Sequence, residues 1–165
     1  DPRRFGCILW QDDPVSDHPL IETLGPEPLD EDFNARALFA RSRGRKAPIK
    51  TFIMDSKVVV GVGNIYANES LFFAGINPQR AAGNVSLARY EKLVECIKCV
   101  LARAIEVGGT TLQDFFQPDG NKGYFKIELA VYDRAEQKCK RCDKQKIKRI
   151  VQAQRATFFC KNCQT

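Results

Sequence analysis

Four cysteines fall in two matched pairs, Cys139-x2-Cys142 and Cys160-x2-Cys163, with 17 residues between the pairs. A thiolate pair two residues apart can bite one ion from a tight turn. Two such turns supply the tetrahedral sulfur shell of one structural zinc site. Two disulfides, or four unconnected thiols, are the alternative, but disulfide frameworks are rarely appended to a long, helical, cysteine-poor segment. The interval between the pairs is rich in lysine and arginine, so the expected product is a zinc-clamped hairpin aimed at phosphate.

Charge is segregated along the chain in a way that fits this picture. From Arg134 to Thr165 there are ten basic residues against two acids, Glu136 and Asp143, a net of +8 within an overall +6. A second cluster, Arg41, Arg43, Arg45, Lys46 and Lys50, contains no acid, whereas residues 12 to 32 hold eight acids and no Lys or Arg. Segregation of this kind focuses a field. With a pI near 9.0 it suits a polyanionic partner whose affinity falls with salt through counterion release. A solvated surface run is the plainer reading of any one of these clusters.

The elements that must position these groups come from pattern and punctuation. At 165 residues and 44% hydrophobic content the chain can bury one modest core and carry a small metal-stabilised appendage. No apolar stretch approaches the roughly 20 residues needed to cross a bilayer, and the opening Asp1-Pro2-Arg3-Arg4-Phe5-Gly6 has neither signal-peptide nor transit character. The expectation is a soluble, cytoplasmic protein whose cysteines serve metal ligation more than disulfides. Cys96 and Cys99 repeat the two-residue gap inside a helical pattern (Tyr90, Leu93, Val94, Ile97, Leu101), so they are assigned to helix packing ahead of a second metal or redox site.

Arg4 to Trp10 reads as a short strand with no partner in the sequence, followed by an acidic connector with Pro14, Pro19, Pro26 and Pro28. Helical spacing is expected over Asp32 to Arg43 and Ile49 to Asp55, and Val58-Val59-Val60 looks like a buried strand. Gly61-Val62-Gly63-Asn64 lacks the third glycine of a dinucleotide loop, Tyr66 standing in its place. A better reading makes Asn64 the cap of a helix running to about Ala74, with turn amides and the Asn64 amide able to donate to a phosphate oxygen. Gly75 and Pro78 close that helix, and Ser86 to Val107 forms a long amphipathic one ended by Gly108-Gly109. Thr111 to Phe116 reads as a short helical turn, Gln117 to Gly123 as a polar loop, and Tyr124 to Tyr132 as strand-like alternation entering the zinc unit. His18, the single histidine, is expected to face solvent.

Several blocks, in one order and spread over the whole chain, resemble the formamidopyrimidine-DNA glycosylase family of bacterial oxidised-purine repair enzymes. They are Asp1-Pro2-Arg3-Arg4-Phe5-Gly6, Leu24-Gly25-Pro26-Glu27-Pro28-Leu29, Val59 to Ala67, Gly108-Gly109-Thr110-Thr111-Leu112 and Gln154 to Cys160. The resemblance implies a mainly α fold: a helix-two-turns-helix domain, then a four-cysteine zinc β-hairpin, with a remnant strand of an N-terminal β-sandwich domain. Residues 1–26 would be that remnant and a linker, 27–130 the helical DNA-binding domain and 131–165 the zinc finger. The 17-residue interval between cysteine pairs is one longer than the usual family spacing, which bears on hairpin register and not on zinc.

Family members begin with a proline whose amine attacks the sugar, followed by a catalytic glutamate. Neither is in this sequence, and Pro2 is bonded as an ordinary amide. The resemblance therefore implies a C-terminal fragment, inactive alone, of a bifunctional glycosylase and lyase that excises oxidised purines from double-stranded damaged DNA by base flipping and β,δ-elimination. It implies one structural Zn2+, a missing N-terminal domain as intramolecular partner, no membrane, a monomer and a bacterial, nucleoid-associated location. Residue by residue, Arg3 and Phe5 match the pair that fills the void left by the everted base. Asn64 and Arg155 match the main phosphate clamps, Arg45 and Lys50 nearby basic contacts, and Tyr132 a further phosphate partner. Arg155 is also the candidate late proton donor. The loop residues Gln117, Asp119, Gly120, Asn121, Lys122, Gly123 and Tyr124 match the segment that closes over the base. A stand-alone, non-enzymatic, zinc-dependent DNA-binding module is the competing reading.

Overall fold

The computed structural model describes residues 8–10, 12, 14–106 and 129–165. The expectations placed on Arg3, Phe5, the helical turn at Thr111 to Phe116 and the loop from Gln117 to Tyr124 lie outside the described residues. Among the described residues no helix is long and apolar enough to cross a membrane.

Each helix starts or stops where local chemistry dictates. Helix α1 (Pro19–Glu22) opens on proline, with His18 Nδ1 accepting from the Leu20 amide at 3.1 Å, so the histidine acts as a cap. In α2 (Ala35–Ser42) the Asn34 side chain accepts from the Ala37 amide at 3.0 Å. Helix α3 (Ile49–Ile53) follows Pro48, and α4 (Asn64–Ala74) stops at Gly75, whose φ of 72° is open to glycine at little cost. Two turns, at Asn77 to Arg80 and at Ala82–Asn84, then lead into α5 (Leu87–Glu106). Helix α5 buries Tyr90, Leu93, Val94, Ile97, Leu101 and Ala104, the i, i+3, i+4, i+7 stripe that defines its inward face. Helices α4 and α5, with the two turns between them, form the helix-two-turns-helix arrangement.

Helices α2 to α5 share one apolar core around Leu38, Ile53, Leu71, Ile76, Tyr90 and Ile97. The linker locks onto it through Gly25, where a β-carbon would sit 2.5 Å from the Val58 carbonyl carbon, so no larger residue fits. A second core joins Phe72 of α4 to Ala130, Val131, Cys139, Ile147, Phe158 and Cys160. The hairpin pairs β1 (Lys148–Gln152) with β2 (Arg155–Phe159), antiparallel, from Lys148↔Phe159 to Gln152↔Arg155. A two-residue turn closes it, and both Ala153 and Gln154 have positive φ, 45° and 60°.

Four expectations are corrected. Val58 and Val59 are buried as foreseen but lie in a turn, not a strand, because the Val58 and Val59 amides both bond back to the Asp55 carbonyl. Asn64 does not cap α4: Gly63 holds that position and the Asn64 side chain is engaged elsewhere. Residues 129 to 132 are not a strand, since their amides from Ala130 to Tyr132 bond to one carboxylate and not to a neighbouring strand. Ile8 to Trp10, the described end of the expected first strand, is not in a strand either. Of the two helical cysteines, Cys96 packs against the core, whereas Cys99 is exposed.

Candidate metal centre and nucleic-acid interface

The sulfur atoms of Cys139, Cys142, Cys160 and Cys163 all lie within 4.8 Å of one another. Cross-pair distances from Cys139 to Cys163 and from Cys142 to Cys160 are both 3.8 Å. A zinc ion with bonds of about 2.3 Å to four tetrahedral sulfurs separates them by about 3.8 Å, so the donor set and its size fit the ion. Backbone amides assist the ligands. The Lys144 amide, backed by that of Gln145, holds the Cys142 thiol down to about 6, and the Asn162 and Cys163 amides point at Cys160. Burial pushes Cys160 up and Cys163 up to about 12, a cost that a bound cation removes. The shell is closed, with Cys139 and Cys160 fully buried, which is the character of a structural site and not a catalytic one.

The hairpin carries Arg155 to the helical body, and three side chains fasten it there. Lys50, 1% exposed in α3, donates to the Ala156 carbonyl at 2.9 Å and to Thr157 Oγ1 at 2.7 Å. Asn64, the first residue of α4, donates to the same Ala156 carbonyl at 3.1 Å. One turn on, Asn68 donates to the Asn64 carbonyl at 2.7 Å and accepts from the Phe158 amide at 2.7 Å. Lys50 and Asn64, from separate elements, thus converge on the carbonyl of Ala156, the residue that follows Arg155. Burial, then the neighbouring Arg155 charge, lowers the Lys50 ammonium to about 8. Arg155 itself is exposed, and with Lys50, Met54, Asp55 and Gln152 it lines a groove of about 290 Å³.

Other expected contacts are more scattered. Arg45 is exposed in the loop between α2 and α3, and its guanidinium has no partner among the described residues. Two other members of the basic cluster are spent on the fold: Arg41 donates to the Lys57 and Val58 carbonyls, and Arg43 to those of Phe39 and Val85. Tyr132 is half-buried, its ring meeting Phe158 edge-on at 5.1 Å.

Sequence reasoning missed the residues that join the two cores. Glu69, 4% exposed in α4, accepts from the Ala130, Val131 and Tyr132 amides at 2.7, 2.9 and 2.8 Å. Gln164 accepts from the Cys160 amide and donates to the Ile76 carbonyl, both at 2.9 Å. The signal for Glu69 was polarity inside an otherwise apolar helix, since Asn68-Glu69-Ser70 sits in a stretch that is buried all round; Gln164 carried none.

Two family signatures match this chain. Residues 24–116 match the formamidopyrimidine-DNA glycosylase H2TH domain, and residues 136–165 the zinc finger found in FPG and IleRS. The second match and the sulfur geometry agree, and the four cysteines hold one structural zinc ion. A formamidopyrimidine-DNA glycosylase from Marinomonas sp. (strain MWYL1) is 65% identical over 165 residues, and one from Idiomarina loihiensis 58% identical over 164 residues. The chain spans 60% of the length of each of these curated relatives, and they match 100% and 99% of it. Among solved structures, the MutM (Fpg) protein of Thermus thermophilus superposes with a TM-score of 0.81 at 40% identity, over 89% of this chain and 56% of that one. The Lactococcus lactis FPG mutant G226P, in complex with a Fapy-dG containing DNA, gives 0.78 at 33% identity, over 88% and 53%.

Proposed function

Because the chain belongs to the formamidopyrimidine-DNA glycosylase family, a family of DNA-repair glycosylases, we propose that it is the part of such an enzyme that grips damaged double-stranded DNA. The whole protein would excise oxidised purines such as 8-oxoguanine and formamidopyrimidines, flipping the base and cutting the strand by β,δ-elimination. The observation that carries this reading is that Lys50 and Asn64, from two separate helices, fasten the Ala156 carbonyl, so that the exposed Arg155 next to it is held in a groove shared with Lys50.

In this reading Arg155 grips a phosphate through its planar fork, and Arg45, Asn64, Lys50 and Tyr132 contribute to the same backbone path. Arg155 is also the candidate proton donor late in strand cleavage. Zinc supplies rigidity only: its four thiolates fix the base of the hairpin so that the tip cannot swing. Residues 27–130 and 131–165 would serve as the helical and zinc units of one binding body, with Arg3, Phe5 and the 117–124 loop acting at the lesion. The 165-residue chain would bind without cutting, since Pro2 is an ordinary amide with no free amine.

Binding of the purified, reduced chain to three ligands tests the proposal: a duplex with an abasic analogue, an undamaged duplex and an RNA. Preference for the abasic duplex is the expected result. Equal affinity for all three would replace it with a non-enzymatic module that reads only the polyanion backbone. Arg155→Ala should cut duplex affinity and lower the salt slope by about 1 while zinc content is unchanged. A borohydride-trapped adduct formed by the chain alone would overturn the expected inactivity.

A further inference from the structure

Gln152 stands directly opposite Arg155 across the two-residue turn, and cross-strand partners in an antiparallel pair share a face of the sheet. Its amide is oriented by Pro78: the nitrogen donates to the Pro78 carbonyl at 3.3 Å, and only a nitrogen can face a carbonyl. The amide oxygen therefore points the other way. It is buried and has no hydrogen-bond partner among the described residues. An acceptor in that state is costly, and it lines the same groove as Lys50 and Arg155. Lys50 already spends two of its three N–H groups on Ala156 and Thr157. The Arg155 guanidinium has spent none on any described residue.

We propose that Gln152 is a positioning residue for Arg155: its amide oxygen takes one guanidinium N–H and so aims the remaining fork at the phosphate. The inference rests on the duplex-binding reading above and deepens it. When a duplex covers the groove and excludes water, Arg155 must satisfy five N–H groups. A bidentate phosphate contact uses two of them, and the Gln152 oxygen offers a fixed acceptor for a third. The guanidinium would thus meet the phosphate already oriented, with less rotamer freedom to lose on binding. The strained turn contributes, since it holds the two residues face to face with only Ala153 and Gln154 between them.

A double-mutant cycle on the full chain tests the inference, reading affinity for a duplex with an abasic analogue. Gln152→Leu keeps the volume and removes the acceptor, so it should weaken binding about tenfold when Arg155 is present and by less than about twofold in the Arg155→Ala background. Gln152→Asn keeps an amide with both donor and acceptor and should restore part of the loss, whereas Gln152→Glu, which lacks the N–H that faces Pro78 and adds a charge opposed to phosphate, should not. A merely structural role would cost the same in both backgrounds, and that result would overturn the inference, as would an unchanged affinity for Gln152→Leu. Zinc content and thermal midpoint are measured on every variant. Should Gln152→Leu fail to fold, Gln152→Met, an unbranched apolar side chain of similar length, takes its place in the cycle: a loss of affinity that vanishes in the Arg155→Ala background supports the pairing, and a loss independent of Arg155 removes it. Failure of the wild-type chain to bind any duplex would reject the underlying reading and the inference with it.

Discussion

A single carboxylate does much of the joining in this molecule. Glu69 is buried, yet its two oxygens receive three backbone amides from the segment that enters the zinc unit. Removing it would leave those amides buried without an acceptor, and each orphan is costly. Glu69→Ala should therefore lower the unfolding free energy by about 3 kcal/mol, measured by denaturant titration, whereas Glu69→Gln, which retains one acceptor oxygen, should cost less. An effect below about 0.5 kcal/mol for the alanine variant would contradict this account. Lys50 carries a different signature because its ammonium is held at about 8 by burial and by Arg155, below the ordinary 10.5. Between these values the unfolded chain binds the proton that the folded chain has released, so stability rises with pH across roughly 8 to 10.5. Duplex affinity should fall over the same window as the positive charge is lost. Lys50→Met should flatten this contribution to both curves, and stability that falls through this window in the wild-type chain but not in the variant would reverse the assignment. Neither residue role was legible in the sequence. Glu69 showed only as an acid in an apolar helix, and Lys50 showed as a member of a basic cluster and, by resemblance, a phosphate contact, not as the buried tie to the hairpin.

Elements whose signals are local were legible, and those set by long-range pairing were not. Helix α5 declared itself by its apolar stripe, and α4 by the glycines at either end. Val58 to Val60 misled because a short apolar run can belong to a strand or a packed turn, and only the Asp55 carbonyl, which takes two amides, decides between them. Asn64 misled in another way: its side chain is a good helix cap, but the Ala156 carbonyl offered it a partner across the domain contact. The hairpin was foreseen from its cysteines, though its turn was not, because Ala153-Gln154 lacks the Asn-Gly chemistry that a turn with two positive φ values favours. That turn stores strain next to Arg155. Replacing Ala153-Gln154 with Asn-Gly should raise hairpin stability by about 1 kcal/mol, seen as a higher thermal midpoint with unchanged zinc content. A lower midpoint would mean that the side chains of Ala153 and Gln154 contribute packing that outweighs their backbone strain.

Two cores of unequal independence make up the whole molecule. Helices α2 to α5 bury a contiguous apolar cluster of their own, whereas the zinc unit contributes only a handful of buried side chains and takes Phe72 from α4. A segment as short as 129–165 cannot bury enough surface to fold by itself, since chains below about 40 residues usually need a metal or a partner. It has both here: the zinc ion within, and α4 beside it. The electrostatics make the unit more dependent still. Two of its three acids are engaged at the surface, Glu136 with Lys146 at 3.4 Å and Asp143 with Lys138 at 3.7 Å, pairs too exposed to offset the repulsion among the remaining cations. Chelating zinc from the reduced protein should therefore release the hairpin while α2 to α5 persist. Far-UV circular dichroism should keep most of its helical signal, and duplex affinity should fall by at least about tenfold, because Arg155 would no longer be held beside Lys50 and Asn64. Loss of the helical signal together with the hairpin would mean that the two cores are one cooperative unit, with Phe72 and Glu69 as the coupling. Full duplex affinity after verified metal loss would mean that charge alone, without the placement that zinc enforces, accounts for binding.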